Sequence, residues 1–317
     1  MSAAPRRHLL GVADLTRDDA ERVLDTARSL ERSLDREMKK LPALRGRLVV
    51  HLFYESSTRT LSSFELAAKR LSADTMTLRA SGSSVDKGES LRDTASTLAA
   101  YDPDVIVVRH PGIGAAQLVA TATEAHLVNA GDGKHQHPTQ ALLDLFTIRQ
   151  ALGRLDGVTV AIVGDVLHSR VARSLVEALR LFGAESVLVA PPTLLPRGIE
   201  EMGCDTTSDI GALADVDVVY VLRMQSERMQ AGAAFVPSLR EYTALYGVTP
   251  ERVRPGQLVM HPGPMNRGVE IDPRVADSGA SLVTSQVRSG LVVRMAVLYD
   301  LLTAPGLHLA TAALEVA

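Results

Sequence analysis

Short β-rich runs that alternate with segments of helical period constrain this chain more than any other feature it has. Leu48 to Tyr54, Thr75 to Leu78, Val105 to Val108 and Leu127 to Ala130 read as buried strands, and Val158 to Val163, Ser186 to Ala190, Val216 to Leu222 and Gln257 to Met260 repeat the pattern. Between them lie helix candidates at Thr58 to Leu71, Glu89 to Ala100, Ile113 to Glu124, Pro138 to Leu152 and Arg170 to Phe182. Parallel strands need a crossover between them and a helix supplies it, so this order predicts α/β architecture with doubly wound parallel sheets. An amphipathic helix, Thr16 to Lys40, precedes the series, and a long helix, Thr284 to Leu302, closes it and can pack on either unit.

A chain of 317 residues exceeds what one core usually supports. Gly153 ends one helix and Gly157 opens a new strand, so a domain boundary near 150 is expected. Hydrophobic residues make up 46% and charged residues 22%, the balance of a soluble globular protein. The apolar runs are too short to cross a bilayer and the N-terminus lacks a signal-peptide core, so no membrane partner is expected and a cytoplasmic location is the default. With a net charge of −3 and no Trp, neither a nucleic-acid stripe nor a stacking platform is predicted. Cys204 is the sole cysteine, which excludes an intrachain disulfide and a thiolate-rich metal site.

In doubly wound sheets ligands sit beyond the carboxyl ends of the strands, so the polar residues placed there are the first candidates. Glu55-Ser56-Ser57-Thr58-Arg59-Thr60 follows the first strand and opens a helix, where N–H groups, hydroxyls and a guanidinium suit a phosphate. The alternative is that Ser57 or Thr58 merely caps the helix. Arg109 ends the strand that starts at Val105 and can point into the same crevice; the following Gly112-Ile113-Gly114 run lacks the third glycine and the acidic partner of a dinucleotide loop. Pro138 places His137 and Gln140 at a helix N-terminus, where imidazolium is disfavoured and a neutral ring can donate to a carbonyl oxygen, although a plain capping role fits His137 as well. No spacing of His, Asp or Glu supports a metal. Ser81 to Gly88 reads by composition as a solvated loop. Further on, Arg170 and Arg223-Met224-Gln225 follow two strands and together suit a substrate with two carboxylates, and His261-Pro262-Gly263-Pro264 forms a rigid turn able to present carbonyls.

Ser57-Thr58-Arg59-Thr60, Ser83 with Lys87-Gly88-Glu89, Arg109-His110-Pro111, His137-Pro138-Thr139-Gln140, Arg170, Arg223 to Arg228 and His261-Pro262-Gly263-Pro264 stand in the order found in the transcarbamoylases. The sequence resembles that family, and the aspartate carbamoyltransferases most closely, over nearly its whole length. The resemblance implies a carbamoyl-phosphate domain at 1–150, an aspartate domain at 151–283, and a final helix from about 284 to 317 returning to the first. It implies carbamoyl transfer from carbamoyl phosphate to L-aspartate, an early step of de novo pyrimidine biosynthesis, with no metal or other cofactor. It also implies a homotrimer with shared active sites, and leaves room for a regulatory chain or a dihydroorotase in a larger assembly.

By the same resemblance, Ser57, Thr58, Arg59, Thr60 and Arg109 hold the phosphate, while Thr60, Arg109 and His137 polarise the carbamoyl oxygen and Gln140 binds the carbamoyl nitrogen. Ser83 and Lys87 arrive from a neighbouring subunit. Arg170, Arg223 and Gln225 bind aspartate, and the backbone of Gly263 and Pro264 completes the pocket. Glu55 is implied to pair with Arg170 or Arg228 on closure. Asp86 departs from the basic or small residue expected before Lys87. Of the rival readings, ornithine carbamoyltransferase usually carries a His-Cys-Leu-Pro loop where this chain has His261-Pro262-Gly263-Pro264, a nucleotide binder lacks its glycine fingerprint, and a catalytically dead scaffold has no need of these polar residues.

Overall fold

In the computed structural model residues 8–79, 88–225 and 236–303 are described. They fall into two units, one formed by the chain up to Leu142 with the residues from Ser289 onward, the other by Leu143–Arg288.

The first unit begins with α1 (Arg17–Glu31). Its Thr16 hydroxyl accepts the Asp19 N–H at 3.1 Å, and the Asp19 carboxylate accepts the Thr16 N–H at 3.2 Å, so two open donors are satisfied reciprocally. Ala20, Val23, Leu24, Ala27 and Leu30 form its buried stripe. The helix stops well short of Lys40, tightening into a 3-10 turn at Arg32–Asp35, where Leu34 is only half-buried, and the last stripe residue, Met38, finds no core and stays exposed. Then come β1 (Leu48–Phe53), α2 (Thr58–Arg70), β2 (Asp74–Arg79), α3 (Leu91–Ala99), β3 (Val105–His110), α4 (Ala115–Ala120), β4 (His126–Asp132) and α5 (Pro138–Leu152). α4 is shorter than its periodicity suggests because Gly114, at φ 78°, holds a left-handed conformation immediately before it. The strands are parallel in the order β2-β1-β3-β4. Val50, Leu52, Ile106, Val108 and Leu127 pack on Ala95, Leu98, Ala116 and Val119 from α3 and α4. The chain passes from β1 outward to β2 and then returns to β3 on the other side, which opens a crevice at the carboxyl ends of β1 and β3.

The second unit repeats the scheme with β5 (Thr159–Val163), α6 (Arg170–Leu181), β6 (Glu185–Val189), β7 (Asp205–Thr207), β8 (Val218–Val221), α7 (Leu239–Tyr246), β9 (Leu258–Met260) and α8 (Pro273–Ala276). Its parallel order is β7-β6-β5-β8-β9, so the reversal falls between β5 and β8. The closing helix α9 (Val283–Leu302) belongs to the first unit from Ser289 on. There Arg22 of α1 donates to Asp300 at 2.8 Å, while Arg294 donates to the Ser63 hydroxyl of α2 at 2.6 Å and lies 5.1 Å from the centre of the Phe64 ring. The architecture is thus α/β with two parallel sheets and a C-terminal helix packed on the first unit. Among the described residues no helix is long and apolar enough to cross a membrane.

Candidate active site

At the crevice of the first sheet, β1 and β3 run in register with Phe53 opposite Arg109, so the loop into α2 and the Arg109 side chain start at one level. Ser57 takes the position before α2 in extended conformation, but its hydroxyl makes no capping hydrogen bond. The capping alternative therefore does not hold for Ser57, and the start of α2 keeps its amide donors and positive dipole end without a side-chain cap. Thr58 and Arg59 are exposed there, while Thr60 is buried.

Arg109 is nearly buried, donating to the Ala130 carbonyl at 3.1 Å and to Glu55 Oε1 at 3.4 Å. Ala130 is reachable because β4 carries one residue more than β3 between the pairs Val108–Asn129 and His110–Asp132. Gly131, at φ 121°, takes up that bulge. Beyond it the buried Asp132 accepts from the Gln136 N–H at 2.9 Å, the Gly114 N–H at 2.9 Å and Asn129 Nδ2 at 2.8 Å, and it lies 3.0 Å from His135 Nδ1. That carboxylate orders the turn delivering His137, which is buried just before α5 and whose carbonyl accepts the Gln140 N–H at 2.9 Å. The His110 ring lies against Tyr54 in a tilted arrangement with centroids 4.8 Å apart; burial lowers its pKa, and its Nδ1 accepts the Gly112 N–H at 2.8 Å.

In the second sheet β5 and β8 run in register with Val163 opposite Val221, so Gly164-Asp165 and Leu222-Arg223 leave side by side. Gly164, at φ 118°, has no room for a Cβ, which would stand 2.8 Å from the Tyr242 hydroxyl and 3.1 Å from the Leu222 carbonyl. Asp165 is fully buried; it lies 2.7 Å from His168 Nδ1 and accepts the Gln225 N–H at 3.1 Å, tying the β5 loop to the β8 loop. Gln225 Nε2 in turn donates to the His168 carbonyl at 3.1 Å. Arg170 is buried at the first position of α6 and Arg223 is half-buried beyond β8. At the next strand end His261 is buried, and its Nδ1 accepts the Gly263 N–H at 2.8 Å. Gly263 stands at φ 63° and its bond to Pro264 is cis.

The first sheet thus brings Glu55, Ser57, Thr58, Arg59, Thr60, Arg109, His137 and Gln140 to its carboxyl ends, and the second brings Arg170, Arg223, Gln225, Gly263 and Pro264 to its own. Ser83, Lys87 and Arg228 lie outside the described residues, as does Asp86. Sequence reasoning passed over the buried carboxylates Asp132, Asp165 and Glu270, which order the loops. An acidic residue placed directly after an apolar strand and a glycine, as in Gly131-Asp132 and Gly164-Asp165, is the signal that marks the first two; Glu270 carries none. Among the described residues no cluster of His, Cys, Asp and Glu is arranged to hold a metal ion.

Residues 7–150 match the aspartate/ornithine carbamoyltransferase carbamoyl-P binding domain, and residues 156–301 match the Asp/Orn binding domain of the same family. The aspartate carbamoyltransferase catalytic subunit of Pelotomaculum thermopropionicum is 55% identical over 304 residues, covering 95% of this chain and 97% of that one. Its counterpart from Acidothermus cellulolyticus is 58% identical over 300 residues, covering 93% of this chain and 92% of that one. Among solved structures, aspartate transcarbamoylase from Trypanosoma cruzi in complex with carbamoyl phosphate and aspartate superposes with a TM-score of 0.85 at 32% identity, covering 95% of this chain and 100% of that one.

Proposed function

The chain belongs to the aspartate/ornithine carbamoyltransferase family and transfers a carbamoyl group from carbamoyl phosphate to L-aspartate, and from that premise we propose how its two units divide the work. The first unit takes carbamoyl phosphate. Its phosphate oxygens meet the α2 N-terminus through Ser57, Thr58, Arg59 and Thr60, where backbone donors and a guanidinium favour negative charge. Thr60, Arg109 and His137 donate to the carbamoyl oxygen, and Gln140 holds the carbamoyl nitrogen. Glu55, at 3.4 Å from Arg109, fixes the guanidinium's approach.

The second unit takes aspartate. Arg170 and Arg223 follow neighbouring strands, which is the observation that carries the choice of a substrate with two carboxylates over one with an ammonium side chain. Gln225, whose Nε2 is taken by His168, offers its Oε1 to the substrate amine, and the backbone at Gly263 and Pro264 closes the contact set. The neutral α-amine attacks the carbamoyl carbon. The tetrahedral oxyanion is held by donors already in place, each worth about 3 to 4 kcal/mol where such donors have been removed. The bond from carbon to the phosphate oxygen then breaks, and the amine proton leaves with the phosphate. Bringing two anions together is the main difficulty, and the arginines address it. The functional unit is a homotrimer in which Ser83 and Lys87 serve a neighbouring chain's site.

Two variants test the division. Arg59→Ala is expected to stay folded, to lose calorimetric binding of carbamoyl phosphate and to drop turnover about a hundred- to a thousandfold. Arg223→Ala is expected to keep carbamoyl-phosphate binding while the aspartate KM rises. Loss of carbamoyl-phosphate binding in Arg223→Ala would place that arginine with the wrong substrate.

A further inference from the structure

Glu270 is fully buried in the second unit, and no Lys or Arg among the described residues lies within ion-pair reach of it. Three N–H donors hold its carboxylate instead: the backbone of Asn266, the backbone of Met224 at 3.5 Å, and His261 Nε2 at 3.2 Å. The histidine contact has a definite sense. His261 Nδ1 already accepts the Gly263 N–H at 2.8 Å, so that nitrogen carries no proton and the ring is the neutral tautomer protonated at Nε2. A protonated ring would set two donors against each other at Gly263.

The same buried line continues on the other side of the histidine. The His261 N–H donates to Gln286 Oε1 at 2.9 Å, Gln286 Nε2 donates to Asp144 at 2.8 Å, and the Tyr220 hydroxyl donates to the other Asp144 oxygen at 2.7 Å. Asn266 Nδ2 adds a bond to the Met224 carbonyl at 3.1 Å. Strand β8 and the turn after β9 are thereby joined beneath the surface at two levels, through Tyr220 and through Met224.

We propose that Glu270 is a positioning residue for aspartate. By fixing the His261 tautomer it sets the turn that presents Gly263 and Pro264, and by holding the Met224 N–H it sets the neighbouring Arg223. Neither side chain of the pair is assigned a contact with substrate; a buried carboxylate that loses one of its donors is left costly and unsatisfied, so its three contacts tie the two loops into one frame. This rests on the aspartate reading of Arg223, Gly263 and Pro264 given above.

The two ring nitrogens can be separated by substitution. In His261→Asn the amide oxygen stands where Nδ1 stood and still accepts the Gly263 N–H; in His261→Gln the amide nitrogen stands where Nε2 stood and serves Glu270 alone. Aspartate KM, kcat, thermal midpoint and calorimetric binding of carbamoyl phosphate are measured for both variants and for Glu270→Gln. His261→Asn keeps the acceptor for Gly263 but leaves Glu270 short of one donor and is expected about tenfold below wild type in kcat/KM, and His261→Gln about a hundredfold below, the scale of a loop displaced by an ångström. Glu270→Gln is expected to raise the aspartate KM about tenfold, since its NH2 faces either the Met224 N–H or the other donors. Carbamoyl-phosphate binding is expected to be unchanged in all of them. Equal loss in His261→Asn and His261→Gln, or a Glu270→Gln enzyme with wild-type aspartate KM, overturns the proposal. Should a histidine variant not fold, Glu270→Gln decides alone. Absence of aspartate carbamoylation in the wild-type chain would instead overturn the underlying reading.

Discussion

Tyr242 shows how single side chains serve a loop without touching a ligand. Its ring is buried at 2% exposure and stacked at 5.9 Å on Tyr246, and its hydroxyl reaches the space beside Gly164 yet has no hydrogen-bond partner among the described residues. Burial, with the Glu270 and Asp165 charges adding to it, drives the phenol pKa far up, so the group stays neutral at every working pH. A buried hydroxyl without a partner costs on the order of 1 to 3 kcal/mol of desolvation, whereas the ring itself is well packed. Tyr242→Phe is therefore expected to leave the urea midpoint unchanged or raise it by the equivalent of about 1 kcal/mol, against the usual direction for a core substitution. A clear drop in midpoint would show that the hydroxyl is satisfied after all. The residues proposed to carry the chemistry stand out one by one in the sequence because phosphate and dicarboxylate recognition demand arginines and hydroxyls near strand ends. The roles of Asp132, Asp165 and Glu270 were not legible: a glycine before the acid flags the first two as positions, but what a buried acid does depends on which amides surround it, and sequence does not display that.

At the scale of elements, strands and crossover helices declared themselves through period, and α5 was legible from Pro138 to Leu152 because Pro138 opens it and Gly153 ends it. Failures came where local pattern met tertiary context: α1 ended short of Met38, which has no core to join, and β7 is a three-residue strand, Asp205–Thr207, with no apolar run to announce it. β1 holds a further element-scale consequence. His51 sits fully buried among the strand's apolar residues, and desolvation lowers its pKa to about 4, with Glu65 opposing and Lys69 assisting weakly. Because the folded value lies below the ordinary histidine value of 6.5, the unfolded chain binds the extra proton first as pH falls. The stability His51 permits is complete above the unfolded value and is lost on acidification toward the folded one. Between pH 7 and pH 5 the loss amounts to about 2 kcal/mol. Urea melts of wild type and His51→Leu are expected to show the stability difference shifting by about 2 kcal/mol in favour of the leucine variant from pH 7 to pH 5, and parallel curves would mean that the ring titrates normally.

For the whole molecule, the proposal that Lys87 serves a neighbouring chain makes activity a property of the ring. Lys87→Ala and Arg170→Ala proteins are each expected to be nearly inactive, since every site in either homotrimer lacks one cation. Denatured together and refolded, an equal mixture is expected to regain about a quarter of wild-type activity, because a site must draw its own Arg170 and a neighbour's Lys87 by two independent even choices. Restoration of nothing would mean that each site is built from one chain. Beneath that lies the transfer itself, for which Arg170 and Arg223, placed after the neighbouring strands β5 and β8, are proposed to hold aspartate. The most direct measurement incubates the purified chain with carbamoyl phosphate and either L-aspartate or L-ornithine and follows phosphate and carbamoylated amino acid together. With aspartate, one phosphate is expected for each N-carbamoyl-L-aspartate. With ornithine, kcat/KM is expected to be lower by about 10⁴, because paired guanidiniums are left facing an ammonium. Carbamoylation of ornithine at a comparable rate, or phosphate release with no carbamoyl-aspartate, would contradict it.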